Sequence, residues 1–205
     1  MGGAAAVVSR RPPRLLMLTD RTQTAGRPLL DVVAAAIEGG ARAVVLREKD
    51  LAEPARAELA AALATVLRPV EGTLLMASGP AAGDGVHLAA ADPFPVPAPP
   101  VVGRSCHSAA ELRDAAAEGC AYATLSPIFR SASKPGYGPP LGPEALRGAP
   151  LPVFALGGVT RSNAAACVAA GAHGVAVMGE VMRAPDPAAT VSALLDALNV
   201  AAVAR

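Results

Sequence analysis

Residues 153–182 read VFALGGVTRSNAAACVAAGAHGVAVMGEVM, and this pattern indicates a fold that the remaining chain would have to complete. A short apolar run, a double glycine, an alanine-rich helical segment and a second apolar run ending at a glycine are typical of a β-α-β unit. Because Gly157, Gly158 and Gly179 have no Cβ, their N–H groups can approach an anion, and the following helix adds its positive dipole end. In an eight-stranded α/β barrel the last two strand-to-helix loops often bind phosphate. The same glycines also occur as plain turn residues in α/β proteins.

The remaining chain supplies further units of the same kind. Apolar runs of four or five residues alternate with helical patterns, which predicts right-handed crossovers and a parallel sheet. The predicted strands lie near Leu15–Thr19, Ala43–Leu46, Thr73–Ala77, Gly85–Leu88, Val101–Ser105, Tyr122–Leu125, Pro152–Leu156 and Gly174–Val177. The predicted helices lie near Leu29–Glu38, Glu53–Leu67, Ala109–Glu118, Pro143–Arg147, Asn163–Ala170 and Pro187–Leu198.

Two connections are too short or too proline-rich for an ordinary helix. Only residues 78–84 separate the third strand from the fourth, which is too few for a full crossover helix. The run DPFPVPAPP at 92–100 is a connection without helical character. We therefore expect a single (β/α)8 TIM barrel at residues 14–199, with a truncated helix between strands three and four. Residues 1–13 are expected to form a flexible N-terminal tail and residues 200–205 a C-terminal tail.

Composition excludes several classes of protein. The chain has 205 residues, 52% hydrophobic and 17% charged, which suits one sizeable core. No apolar run approaches the roughly 18 residues that span a bilayer, so we expect no membrane partner. A net charge of +1, no Trp and no basic run argue against nucleic-acid binding. The three cysteines, Cys106, Cys120 and Cys167, lack zinc or disulfide spacing, which favours a reducing cytoplasm.

Two cations follow the second predicted strand. Side chains alternate along a strand, so Arg47 and Lys49 point the same way. In a barrel they face the mouth, the end where the strands' carboxyl ends lie and where barrel enzymes carry their chemistry. That position favours a ligand phosphorylated at more than one place. The alternative is a solvated rim in which the two cations pair with Glu48 and Asp50.

Other polar residues also follow predicted strands. His87, in GVHL, either faces a ligand or is a satisfied histidine of the barrel interior. Asp92 is either a ligand-binding carboxylate or a turn residue, and Ser105 is either functional or a helix cap. Lys134 lies in SASKPGYG, a loop too long and too rich in Gly and Pro for a simple connector. Such loops often serve as lids, which favours a functional Lys134.

Motifs spread from Leu15 to Leu198 resemble the thiamine-phosphate synthase and thiazole tautomerase (TenI-like) family. They are LMLTD at 16–20, GGARAVVLREKD at 39–50, GDGVHLAAAD at 83–92, VGRSCHS at 102–108, YATLSPIFRSASK at 122–134 and VFALGGV at 153–159, followed by GAHGVAVMGEVM at 171–182. The resemblance implies a (β/α)8 barrel of thiamine biosynthesis acting on small phosphorylated substrates. The synthase joins hydroxymethylpyrimidine pyrophosphate to thiazole phosphate and releases pyrophosphate. Barrels of this kind are commonly homodimers.

The resemblance also implies roles for individual residues. Carried over by position, they are Arg47 and Lys49 for holding the pyrophosphate, Asp92 for Mg²⁺, Ser105 and Lys134 for assisting the departing pyrophosphate, and Gly157, Gly158 and Gly179 for the thiazole phosphate. His87, at the end of a predicted strand, is a further candidate for substrate binding. Such a set is physically coherent, because a leaving pyrophosphate needs its growing charge neutralised by a metal and by cations.

The chain departs from the synthase pattern at three places. Val45 replaces a Gln two positions before Arg47, and Ala89 and Ala90 replace a Gly-Gln pair. The third strand ends in LLMASGPAAG, without the expected Asn-Asp pair, so one expected Asp ligand of Mg²⁺ is absent. Asp92 alone would make a weak metal site.

The tautomerase branch departs differently. Its catalytic His follows strand six, where this chain has Pro127. His107 and His87 are then the candidates for moving a proton between ring positions. Three functions stay open at this point: a synthase with an altered metal site, a thiazole phosphate tautomerase, and a non-catalytic homologue that binds phosphorylated ligands.

Overall fold

The computed structural model of the protein is a closed barrel of eight parallel strands, paired in chain order. The structure describes residues 13–77, 83–131 and 139–203. The strands are β1 Leu15–Leu18, β2 Ala43–Leu46, β3 Thr73–Ala77, β4 Gly85–Leu88, β5 Val101–Cys106, β6 Tyr122–Leu125, β7 Val153–Leu156 and β8 Gly174–Val177. The helices are α1 Leu29–Glu38, α2 Glu53–Leu67, α3 Ala109–Glu118, α4 Ala164–Ala169, α5 Gly179–Met182 and α6 Pro187–Val203. The predicted (β/α)8 barrel is confirmed.

The connections predicted to lack a full helix do so where they are described. Residues 89–100 join β4 to β5 without a helix, since their prolines remove the N–H groups that a helix needs. Between β3 and β4, residues 83 and 84 are not helical and residues 78–82, with Ser78, lie outside the described residues. The helix predicted near Pro143–Arg147 is only the 3-10 turn Pro143–Leu146, enclosed by Gly142 and Gly148.

Alternation along the strands produces two apolar layers. One set of side chains fills the barrel interior and includes Leu16, Val45 and Phe154. The other set, with Met17 and Leu46, packs against the helices. This parity places Arg47 on the interior side of β2, two residues beyond Val45, at the mouth of the barrel.

Helix α3 has a defined cap at each end. Ser108 Oγ accepts a hydrogen bond from Glu111 N at 3.2 Å, so Ser108 is the N-cap of α3, and Gly119 ends that helix with φ +91°. Helix α6 continues to Val203, into the segment predicted to be a C-terminal tail, and the four-residue α5 was not predicted.

Within the described part of the chain, none of the helices combines the length and apolar character required to cross a membrane.

Candidate active site

A cavity of about 320 Å³ opens at the mouth of the barrel. Its walls come from the loops after β1, β2 and β5 to β8. Of the residues predicted to form the site, Arg47, His107, Gly157, Gly158 and Gly179 all line it. The predicted meeting of a cation from β2 with the glycines that follow β7 and β8 is therefore present.

Arg47 is held in place by the end of β1. Thr19, which is fully buried, accepts a hydrogen bond from Arg47 N on its Oγ1 at 2.9 Å. The Thr19 N–H donates in turn to Val45 O at 3.0 Å. These bonds extend the pairing of β1 and β2 beyond the strands, so the backbone that carries the Arg47 side chain is fixed.

The carboxylates next to Arg47 bind a different cation. Glu48 is 2% exposed and accepts hydrogen bonds from the backbone N–H and the guanidinium of Arg21. Arg21 also binds Asp50 through both terminal nitrogens at 2.7 Å, which lowers the pKa of Asp50. Glu48 and Asp50 therefore pair with Arg21, and the alternative rim in which they pair with Arg47 and Lys49 is not formed.

The double glycine after β7 adopts backbone angles that suit glycine. Gly157 has φ +93° and Gly158 has φ +63°, and a Cβ on Gly158 would collide with the Arg130 carbonyl oxygen. Both glycine carbonyls are bound within the protein, Gly157 O by Phe129 N and Gly158 O by the Asn163 side chain, each at 3.0 Å. In the described part of the chain, the Gly158 N–H group donates no hydrogen bond, so it is available to a ligand. The helix α4 begins only at Ala164 and is short, so loop N–H groups rather than a helix dipole are the main feature here.

Two further arginines line the cavity and were missed from the sequence. Arg183 donates to Gln23 Oε1, and the Gln23 amide donates to Asp20 Oδ2 at 2.6 Å. The Arg183 guanidinium lies over Gly179, where a Cβ would collide with it. Arg130, in the loop after β6, also lines the cavity. No sequence signal identifies either arginine, because α5 is not predicted and Arg130 does not directly follow a predicted strand.

His107 faces the same cavity with a defined tautomer. Its Nδ1 lies 2.9 Å from Ser126 O and 3.3 Å from Ser126 Oγ. The shorter contact is to a carbonyl, which can only accept, so Nδ1 carries the proton in the neutral ring. Nε2 is then the basic nitrogen. The His107 N–H donates to Glu111 Oε2 at 2.7 Å, which ties the residue to the start of α3.

His87 lies in the barrel interior below the mouth. It is 3% exposed, with Nδ1 2.9 Å from Tyr122 Oη and Nε2 2.9 Å from Ser105 Oγ. Burial, with a smaller contribution from the charge of Lys49, lowers the pKa of His87 from 6.5 to about 4, while Asp92 acts in the opposite direction. The structure thus follows the alternative of a satisfied interior histidine. Ser105 is half-buried at the end of β5 and is not the cap of α3.

The loop after β4 is organised by an arginine from β5. Arg104 is 5% exposed, and its Nη1 donates to Ala89 O, Ala90 O and Asp92 O at 3.2, 3.0 and 2.8 Å. Its Nη2 lies 2.8 Å from Glu118 Oε2, an ion pair without hydrogen-bond geometry. Asp92 Oδ2 accepts from Ala89 N at 2.8 Å, so the turn role of Asp92 is present and its carboxylate is oriented.

The polar residues at the mouth and just below it form two groups. The glycine half consists of Arg47, Arg130, Gly157, Gly158, Gly179 and Arg183. The histidine half consists of Lys49, His87, Asp92, Arg104 and Ser105. Lys49 is exposed and close enough to influence His87, whereas Lys134 lies outside the described residues. Among the described residues no three His, Cys, Asp or Glu side chains are grouped as a metal site.

Comparison with known proteins gives a consistent result. A family model described as thiamine monophosphate synthase matches residues 15–181. A thiamine-phosphate synthase of Roseiflexus castenholzii is 37% identical over 88% of this chain and 86% of its own, and one of Methanoculleus marisnigri is 38% identical over 91% and 96%. The solved thiamine phosphate pyrophosphorylase of Pyrococcus furiosus superposes with a TM-score of 0.81 at 26% identity, over 92% of this chain and 96% of that one. The chain therefore belongs to the thiamine monophosphate synthase family.

Proposed function

We propose that this protein is a transferase of thiamine biosynthesis that couples hydroxymethylpyrimidine pyrophosphate to thiazole phosphate and releases pyrophosphate. The observation that carries the proposal is the cavity of the glycine half, where three arginines surround loop amides at the mouth of the barrel. Among the described residues Glu180 is the one carboxylate in its lining. A site with this excess of positive charge suits small phosphorylated substrates of the kind that the family name implies.

The glycine half is the proposed site of the thiazole phosphate. A phosphate dianion needs several donors at once, and the loop amides near Gly158 provide them without a side chain in the way. Arg183 adds a planar donor above Gly179, which suits phosphate better than a point charge would. Arg47 stands at the border of the two halves and is proposed to contact the pyrophosphate of the other substrate.

The histidine half is the proposed site of the pyrophosphate and its metal. The donor chemistry fits Mg²⁺ to a limited degree, since Asp92 supplies one carboxylate whose Oδ2 already accepts from Ala89 N. Mg²⁺ commonly takes one or two carboxylates and fills its other positions with phosphate oxygens and water. We propose that Asp92 holds the ion together with the substrate. Bound there, the metal would neutralise charge on the leaving pyrophosphate.

The chemistry proposed for this chain is electrostatic. The bond from the pyrimidine methylene carbon to the pyrophosphate oxygen breaks, and its electron pair leaves with the oxygen. Arg47 and Lys49 stabilise that charge, Ser105 and Lys134 donate hydrogen bonds to it, and the lone pair of the thiazole nitrogen then forms the new C–N bond. The cavity holds the thiazole in position for capture.

Incubation with both substrates tests this function. Thiamine phosphate is expected to form only with Mg²⁺ present, and the rate is expected to fall at least about 100-fold in Lys134→Ala and in Arg47→Ala. Arg113→Ala is the matched control, because Arg113 is an exposed arginine on α3 outside the cavity lining. Saturable binding of both substrates without any product would refute the synthase and leave a non-catalytic ligand-binding homologue.

One observation favours a second candidate function. His107 lines the cavity of the glycine half, and Nε2 is its basic nitrogen, so it is placed to move a proton on a bound thiazole phosphate. Isomerisation of thiazole phosphate alone, abolished in His107→Ala, would establish a tautomerase. His87 is less suited to that role, because it is buried in the barrel interior and does not line the cavity.

Two expectations about the whole protein stay predictions. A cytoplasmic location agrees with three buried free cysteines, which a reducing compartment keeps as thiols. A homodimer is expected from the resemblance alone, and light scattering of the purified protein measures it.

A further inference from the structure

Three polar side chains on neighbouring strands form a hydrogen-bonded chain inside the barrel. His87 on β4 lies between Tyr122 on β6 and Ser105 on β5, with both contacts at 2.9 Å. The His87 and Tyr122 rings are stacked, with centroids 5.6 Å apart and planes at 20°. Tyr122 crosses the intervening strand at Gly103, where a Cβ would collide with the phenol ring. The glycine therefore makes the Tyr122–His87 contact possible.

The Tyr122 hydroxyl fixes where the His87 proton resides. Burial raises the pKa of Tyr122, so the phenol keeps its proton and must place it on an acceptor. Within the described chain, the hydrogen-bond partner of the Tyr122 hydroxyl is His87 Nδ1. If Nδ1 carried a proton, the two hydrogens would face each other and the phenol donor would be stranded in the interior. Nδ1 is thus the acceptor, and the single N–H of the neutral ring is on Nε2.

That tautomer determines what Ser105 can do. The Nε2–H of His87 donates to Ser105 Oγ, so the serine hydroxyl hydrogen is left for another acceptor. Thr124 is paired with Ser105 across β5 and β6, but its buried Oγ1 has no hydrogen-bond partner among the described residues and does not take that hydrogen. Ser105 is half-buried near the carboxyl end of β5, whereas His87 and Tyr122 are buried, so Ser105 is the member of the chain closest to the mouth.

We propose that Tyr122 is a positioning residue, which sets the His87 tautomer and thereby makes Ser105 a hydrogen-bond donor toward the mouth. The proposal rests on the proposed function in one respect, because the acceptor of the Ser105 hydroxyl hydrogen is taken to be an oxygen of the leaving pyrophosphate. The chain of donors runs one way, from Tyr122 through His87 to Ser105. Reversing it would leave Ser105 bonded to Nε2 as a donor, with lone pairs rather than a hydrogen for the substrate.

The first test is independent of catalysis. The chain has three histidines, so the ¹⁵N ring signals of His87 can be assigned by their loss in His87→Gln. Two-bond ¹H–¹⁵N spectra of the wild type at pH 7 should show a protonated Nε2 and an unprotonated Nδ1. Tyr122→Phe should move His87 toward the opposite tautomer. Phe154→Leu is the control, since Phe154 packs edge-on against Tyr122 with 5.4 Å between ring centroids and should lower the melting temperature without changing the tautomer.

The second test separates positioning from packing. Tyr122→Phe should lower kcat by about tenfold or more with little change in KM, because the lost donation acts on the leaving group. Ser105→Ala should show a similar loss, and the double variant should be no slower than Ser105→Ala alone, since the two residues act through one hydrogen.

The outcomes are distinct for the two proposals. A protonated Nδ1 in the wild type overturns the positioning role, and so do kcat losses that multiply in the double variant. Absence of any thiamine phosphate from the wild type refutes the synthase instead, and the tautomer spectrum still decides whether Tyr122 orients Ser105.

Discussion

The two halves of the mouth are built by different means. In the glycine half the groups that line the open cavity are loop residues and arginines, and the loop turns at Gly157 and Gly158 through positive φ angles. In the histidine half the polar groups are side chains held from beneath by buried partners, Tyr122 under His87 and Arg104 under the loop of Asp92. The geometry of the glycine half depends on the absence of side chains at the glycines. The geometry of the histidine half depends on hydrogen bonds between side chains of neighbouring strands. Substitutions should therefore affect them in different ways.

Filling the space at Gly158 should have the largest effect. Gly158→Ala places a Cβ against the Arg130 carbonyl at a left-handed backbone position, which should cost at least about 3 kcal/mol of stability. We expect kcat/KM for thiazole phosphate to fall about 100-fold or more, with the KM for the pyrimidine substrate less affected. Gly119→Ala is the control, because Gly119 has φ +91° with nothing within 4 Å of an added Cβ, and should show backbone strain without loss of activity. Equal kinetic effects of the two variants would contradict a phosphate site at Gly158.

Acid should weaken the fold through the histidine half. Because the pKa of His87 is lowered from 6.5 to about 4, the unfolded chain takes up a proton before the folded one does. The stabilisation is complete above pH 6.5 and is lost as the pH falls from 6.5 to 4, by about 3 kcal/mol in total. Denaturant titrations across this range measure it. His87→Gln should remove this part of the pH dependence of the unfolding free energy, although the variant is less stable at pH 7. His173→Gln is the control and should keep the pH dependence. An unchanged pH dependence in His87→Gln would show that His87 is not the cause.

Arg104→Lys should alter the histidine half and leave the glycine half unchanged. A lysine ammonium cannot bind three carbonyls and face Glu118 at once, so we expect a loss of about 2 kcal/mol and a raised KM for the pyrimidine pyrophosphate. The KM for thiazole phosphate should stay the same. Calorimetry and initial rates check both expectations, and a rise in both KM values would mean that the two halves are coupled.

Arg183→Ala should have the smallest and most selective effect. Losing the guanidinium over Gly179 should raise the KM for thiazole phosphate by about tenfold while the KM for the unphosphorylated thiazole alcohol is unchanged. Arg113→Ala again serves as the control. Equal losses for both thiazoles would show that Arg183 stabilises the loop rather than binding phosphate.

The comparison also explains what could be predicted from the sequence. Strand and helix limits follow from local periodicity. The glycines after β7 and β8 are informative because the absence of a Cβ leaves the backbone accessible whatever residues surround it. Tyr122 resembles any other core aromatic residue in the sequence, and its contact with His87 exists only because Gly103 on the next strand leaves room for the phenol ring. Arg183 and Arg104 likewise act across elements far apart in the chain, so no local pattern identifies them.

The location of the bound thiazole phosphate decides whether the glycine half is a phosphate site. A crystal structure of the complex should place the phosphate within hydrogen-bond distance, about 2.7–3.2 Å, of the Gly158 N–H group and beside the Arg183 guanidinium, with Arg47 facing the same cavity. A phosphate bound instead between Lys49 and Asp92, or at the opposite end of the barrel, would contradict the assignment of the glycine half.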